Sequence, residues 1–199
     1  DPRADIGDIY AWMSPDRKRL NLAMTIVGHS FSPELEYAFH VDSGTAFGAA
    51  TAKASIRCRV PSWSLIECKG ANDFAIGNAA RPEGIESRGG HFRLFAGVRD
   101  DPFFNNVRGS RDAYQAAIAA ISTGVARDAA GCPQFSRQTS DDILSRWRHT
   151  ADGPATNFLA GWTPASLVMS VDLDEIAQGG AFLAVWATVS SEQKQIDRM

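Results

Sequence analysis

Four histidines and one acidic corner hold most of the chemistry this chain could perform. His40 lies in an alternating run, on the face opposite Tyr37 and Phe39 and beside Glu36 and Asp42. A neutral imidazole next to a carboxylate can ligate a metal ion or a haem iron. His29 sits in a Gly-His-Ser loop and could bring a second, mobile ligand, so His29, His40 and Asp42 form the metal candidates. The plainer reading of His40 is a strand histidine satisfied by hydrogen bonds. No two histidines stand at an HxxxH spacing, and the Cys-x-x-Cys-His that attaches haem covalently is absent. His91 leads a strand and His149 ends a helix, where the helix dipole favours a cation.

The acidic corner is Arg99-Asp100-Asp101-Pro102, followed by Phe103 and Phe104. Successive side chains on extended backbone point to opposite sides, so the two aspartates make a poor acid/base pair. Asp101 reads as a turn cap, with Arg99 or Arg108 neutralising Asp100. The functional alternative is that a carboxylate here joins backbone carbonyls around a calcium ion, which takes about six to eight oxygens. Adjacent aromatics after a turn predict buried anchors, one of which could line an apolar pocket. Arg99, Asp100, Asp101, Phe103, Phe104 and Arg108 are therefore the candidate ligand-binding group.

Nucleophilic catalysis finds little support. There is no Gly-x-Ser-x-Gly elbow, and Cys132, in a Gly-Cys-Pro loop, has no histidine nearby in sequence. Gly89-Gly90 and Gly179-Gly180 lack a strand-to-helix setting and read as turns. Trp63 and Trp12 could stack on a sugar face, against a default of core packing. Cys58 and Cys68 flank Pro61-Ser62-Trp63-Ser64. If Val60 faces Ile66, Arg59 faces Glu67 and Cys58 faces Cys68, so one hairpin register gives an apolar pair, an ion pair and a disulfide. Two buried thiols are the alternative. A disulfide would place the protein in an oxidising compartment.

The elements that must position these groups follow from period-two alternation. Leu20, Leu22, Met24 and Ile26 form one apolar face, and Leu35, Tyr37, Phe39 and Val41 another, with Asp42-Ser43-Gly44 as the stop. Ala52–Val60 and Phe92–Val98 continue the pattern, and 70–90 reads as a long loop without period. Ser110 is expected to cap a helix with Tyr114, Ala117, Ile118 and Ile121 on one stripe. Thr139 or Ser140 should cap a second helix bearing Ile143, Leu144 and Trp147. Strands return at 156–162, 167–173 and 182–189, the last two apolar on both faces, and the tail 190–199 is polar. The expected fold is mainly β: a single antiparallel β-sandwich domain over 1–199 with a two-helix insertion at about 110–150.

Bulk properties narrow the class. The 199 residues carry a net charge of -3 and no basic cluster, which argues against a nucleic-acid partner. No apolar run reaches the roughly 20 residues of a membrane-spanning helix.

Asp1-Pro2-Arg3-Ala4-Asp5-Ile6-Gly7-Asp8-Ile9-Tyr10-Ala11-Trp12, Ser14-Pro15-Asp16 and Phe95–Phe104 resemble the bacterial family catalogued as domain of unknown function 4331. Phe158-Leu159-Ala160-Gly161-Trp162, followed by 167–172, is similar to that family's next block. The resemblance spans nearly the whole chain. It implies secretion, and it implies that this chain is the front part of a longer protein: members start upstream with a His/Asp-rich stretch and continue past a tail like Gln195-Ile196-Asp197-Arg198-Met199 into a second half. The opening pattern is also similar, at the level of fold, to DOMON and carbohydrate-binding sandwiches, some of which bind sugars and some haem.

The expectation is an extracytoplasmic (periplasmic, secreted or cell-surface) binding or structural module, not an enzyme. Its partner would be a small molecule or a protein, among them the C-terminal remainder or a second copy. The alternative is a haem- or metal-binding redox accessory protein using His40 and His29; calcium and haem are the cofactors considered. A hydrolase built on Asp100 or Asp101 has the least support.

Overall fold

The computed structural model describes residues 1–192 and 194–199. Along the chain come β1 (Ile6–Met13), β2 (Arg19–Ile26), β3 (Glu36–Ala46), β4 (Ala49–Ser62), β5 (Leu65–Gly70), β6 (Asp73–Gly77), β7 (Ile85–Glu86) and β8 (Phe92–Val98). Then follow α1 (Val107–Ser122), α2 (Arg137–Trp147), β9 (His149–Thr150), β10 (Gly153–Pro154), β11 (Ala165–Asp172), α3 (Leu173–Ile176), β12 (Phe182–Ser190) and β13 (Gln195–Arg198). Strand occupies 44% of the chain against 17% helix, so the class is mainly β. The chain divides into two compact units, one of Asp1–Asp100 with Thr163–Met199 and one of Asp101–Trp162.

The first unit holds both large sheets, ordered β1-β2-β11-β8-β7 and β13-β12-β3-β4-β5-β6, with every pairing antiparallel. Register explains why their inner faces are dry. In the first sheet Leu20, Val171 and Phe92 share a rung, and Leu22, Met169 and Leu94 share another. In the second, Val189, Tyr37, Cys58, Cys68 and Ala75 form one row and Ala187, Phe39 and Ile56 the next. All of these side chains belong to one buried cluster, which makes the two sheets a sandwich.

The disulfide is present: Cys58 and Cys68 stand opposite each other with Cα atoms 4.1 Å apart, both buried in that inner row. Arg59 pairs with Glu67 as expected, but Val60 does not pair with Ile66. The register shifts there and resumes at Ser62–Leu65, so Val60 and Pro61 bulge opposite one residue. Pro61 has no N–H to place in a ladder.

Several elements differ from expectation, each for a physical reason. Asp42-Ser43-Gly44 does not end β3, which runs on through two register shifts to a turn at Phe47-Gly48. A Cβ on Gly44 would collide with the Ala49 carbonyl, so glycine there permits close strand approach. Segment 70–90 contains β6 and β7. Ala71 and Asn72 at φ 50 and 53° make the tight hairpin turn into β6, whose one inward side chain is the small Ala75 while Phe74 and Ile76 face solvent. An edge strand that turns its large residues outward carries no recognisable core pattern. The polar tail contributes β13, the other edge of the same sheet.

In the second unit the helices begin earlier than expected. Asn106, not Ser110, caps α1 by accepting from the Gly109 N–H, and Ser136 caps α2 by accepting from Thr139 N–H. Asn106 also donates to the carbonyls of Trp147 and His149, tying the two helices' ends. Only Gly109 and Ala113 of α1 are buried, so the stripe of Tyr114, Ile118 and Ile121 stays exposed. Segment 156–162 is not a strand. Asn157 Oδ1 accepts from the N–H groups of Asn105 and Leu159, bending the chain into turns that replace a ladder.

Candidate functional site

A cavity of about 470 Å³ opens at one end of the sandwich in the first unit. The loop from His29 to Pro33, between β2 and β3, forms one wall. The bulged β4–β5 tip from Val60 to Ile66 forms another, and Ala79-Ala80 with Ala96–Val98 of β8 completes the ring. β4 and β8 reach it with their last residues and β5 and β11 with their first. None of the lining side chains carries a fixed charge; His29 is the one titratable group, and the other polar side chains are serines.

The walls are held in place independently of any occupant. Phe31 packs edge-on against Tyr37, with centroids 5.0 Å apart and planes at 77°. The Tyr37 hydroxyl accepts from Ser32 N–H and donates to the Arg3 carbonyl, each at 2.8 Å. Burial pushes this phenol above its usual pKa, which keeps its proton available for donation. His29 Nδ1 donates to the Thr163 carbonyl at 2.8 Å, fixing the ring at the rim. Ala96 N–H donates to the Ala79 carbonyl at 3.0 Å, closing the wall opposite. The Cys58–Cys68 bridge lies one to two rungs below the bulged tip and pins both of its strands. Trp63 stands at the tip, 88% exposed, and Trp12 is 49% exposed, so neither has the core position that is the default for tryptophan.

The predicted metal candidates are dispersed. His40 is on the outer face of the six-stranded sheet, not at the cavity. Its Nδ1 hydrogen-bonds Ser55 Oγ and its Nε2 Thr188 Oγ1, both at 2.8 Å, and its ring stacks on Trp186 at 5.3 Å. Burial, then the charges of Arg57 and Arg198, lower its pKa, with Asp42 and Glu36 opposing, so the ring is neutral at pH 7. Asp42 pairs with Lys53 at 3.6 Å. His29 lies in the loop at the cavity rim, so the two histidines do not share a site. Among the described residues no three of His, Cys, Asp and Glu gather in a metal-holding group.

The acidic corner is also rearranged. Arg99 lies over the Phe95 ring, 4.0 Å from its centroid, and donates to the Val98 carbonyl. Asp101 caps the turn as expected, accepting from Phe103 N–H at 2.8 Å. Phe103 and Phe104 are not buried anchors: they are 47% and 58% exposed. The turn closes on its own backbone and does not depend on a core contact. Asp100 and Arg108 are exposed.

Sequence reasoning reached Trp63 and His29 but missed Phe31, Val60, Leu65 and Ala80, which line the cavity. The available signals were the Phe-Ser-Pro loop and the Val-Pro pair before a hairpin tip. It also missed Asp73, whose carboxylate accepts from Gly89, Phe74 and His91 N–H groups. Burial pushes that carboxyl up, but hydrogen bonds from Ser87 and these amides outweigh it and hold its pKa at about 2.

No protein-family model matches the chain, and neither does any curated protein or any solved structure.

Proposed function

We propose that this protein is an extracytoplasmic binding module that takes an uncharged, apolar group into the end cavity of its sandwich. The observation that carries the reading is a charge-free cavity of about 470 Å³ with walls fixed before any occupant arrives. That volume lies within the roughly 300–1,000 Å³ of ordinary ligand pockets. A preformed site loses little ordering entropy on binding, and an apolar lining discriminates against ions by leaving them unpaired. The disulfide supports the extracytoplasmic placement, because such bridges persist where thiols are oxidised. The motif likeness to secreted proteins points the same way.

Titration with the neutral fluorophore N-phenyl-1-naphthylamine tests the reading. The wild-type chain should give saturable fluorescence enhancement, and Ala80→Glu, which puts a carboxylate into the lining, should abolish it. Absence of saturable binding, or identical binding by the variant, overturns the reading.

A further inference from the structure

A small trough of about 310 Å³ lies where β3, β4 and β12 meet at the base of the β3–β4 hairpin, and the binding reading leaves it unused. Strand register builds it. His40 is on the outer face, so Asp42 and Gly44, two and four residues on, share that face, and their partners on β12 and β4 follow. One rung is Phe182–Gly44–Ala50 and the next is Ala184–Asp42–Lys53. Gly44 has no side chain, and Ala50 and Ala184 have only methyl groups, so the two rungs form a low floor. The exposed rings of Phe182 and, at the hairpin tip, Phe47 stand above it as walls. The Asp42 carboxylate closes the end nearest His40.

One carboxylate among phenyl rings and small residues selects a kind of occupant. Only 16% of the Asp42 side chain is exposed, and its ion partner Lys53, 3.6 Å away, is 76% exposed. That separation is longer than a charge-assisted hydrogen bond, and so loose a surface pair contributes little. A cation carrying its own N–H donors can therefore take the place of Lys53. The faces of phenyl rings attract a cation within about 6 Å and cover the apolar body attached to it. We propose that this trough binds a small organic ammonium ion, its nitrogen on the Asp42 carboxylate and its apolar body between Phe182 and Phe47. An anion is repelled there, and a neutral molecule of the same shape gains nothing from the charge. The volume sets the size: about 310 Å³ lies at the lower end of the roughly 300–1,000 Å³ of ligand pockets, enough for one ring or a short chain. The site is distinct from the end cavity, because β4 runs 14 residues between them, from Ala49 in the trough to Ser62 in the cavity wall.

Amide NMR shifts of the isotope-labelled chain, titrated at neutral pH with protonated phenethylamine and separately with phenethyl alcohol, test this. Each probe is taken to about 20 mM, because so small a ligand supports an affinity of about 1 mM. The amine should give saturable shifts at Gly44 and Ala184 and none at Phe31 and Leu65 in the end cavity. The alcohol, matched in shape but uncharged, should bind at the trough at least about tenfold more weakly. Asp42→Asn should weaken the amine by a similar factor and leave the alcohol unchanged, and Lys53→Ala, which removes the competing cation, should tighten the amine. If Asp42→Asn fails to fold by circular dichroism, the amine-to-alcohol ratio of the wild type decides. No saturable shift at Gly44 and Ala184, equal affinity for amine and alcohol, or wild-type amine binding by a folded Asp42→Asn chain overturns the inference.

Discussion

Reducing the Cys58–Cys68 bridge should lower stability by an amount that the hairpin's length sets. The two cysteines are separated by 10 positions in sequence. Chain-entropy reasoning for a loop of that size gives about 2.7 kcal/mol at 25 °C, from roughly 9 cal/mol/K of lost denatured-state entropy. For a chain of 199 residues, a loss of this size corresponds to a fall in Tm of roughly 5–11 °C. Differential scanning calorimetry with and without a phosphine reductant measures it, in a Cys132→Ser background, because Cys132 is an exposed free thiol that could form bridges between chains. Reduction keeps both sulfur atoms in the inner row, so no large cavity confuses the comparison. The fluorophore should also bind more weakly after reduction, since the bridged strands lead directly into the bulged wall. A fall of less than about 1 kcal/mol would refute the reasoning: the denatured chain would then already hold this hairpin closed, and the bridge would remove little freedom.

Two pH effects follow from the hydrogen-bonded groups. Asp73, with a folded pKa of about 2 against an ordinary aspartate value of 3.8, stabilises the fold fully above the unfolded value and progressively less as pH falls from there through about 2. Asp73→Asn should flatten the acid limb of Tm against pH in that window; an unchanged limb would assign it to other carboxylates. His40 has a folded pKa below 6.5, so the unfolded chain takes up its proton first, and stability declines as pH drops from about 6.5 towards the folded value. His40→Gln should remove that slope, and an NMR titration of His40 with a midpoint at or above 6.5 would contradict the burial argument.

How much of this was legible in the sequence depends on which interactions are local. Alternation in β2, β3, β4 and β8 was readable because the pleat forces neighbouring side chains to opposite faces, so local order alone sets the buried face. β11 and β12, read as apolar on both faces, are not buried on both: β11 alternates buried with half-buried residues and β12 is exposed at its start. The opposition of Cys58 and Cys68 followed from the same counting across a short hairpin. β6 and β13 were not readable, because an edge strand needs only one apolar face and β6 satisfies its inward face with alanine. The helix caps were displaced because Ser110 and Asn106 are both competent caps, and the bonds from Asn106 to Trp147 and His149 decided between them.

The residue order by itself determined a mainly β chain of antiparallel strands, the buried stripe on β2, β3, β4 and β8, and which two cysteines stand opposite each other. Tertiary structure decided the rest: that His29 stands at the cavity rim while His40 bonds Ser55 and Thr188 elsewhere, that Phe103 and Phe104 face water, and that a cavity without fixed charge opens among the ends of β4, β5, β8 and β11. The division is physical. Which way a side chain points on a strand is a property of its two neighbours. Whether it meets a partner, or an empty space, depends on segments brought in from more than a hundred residues away.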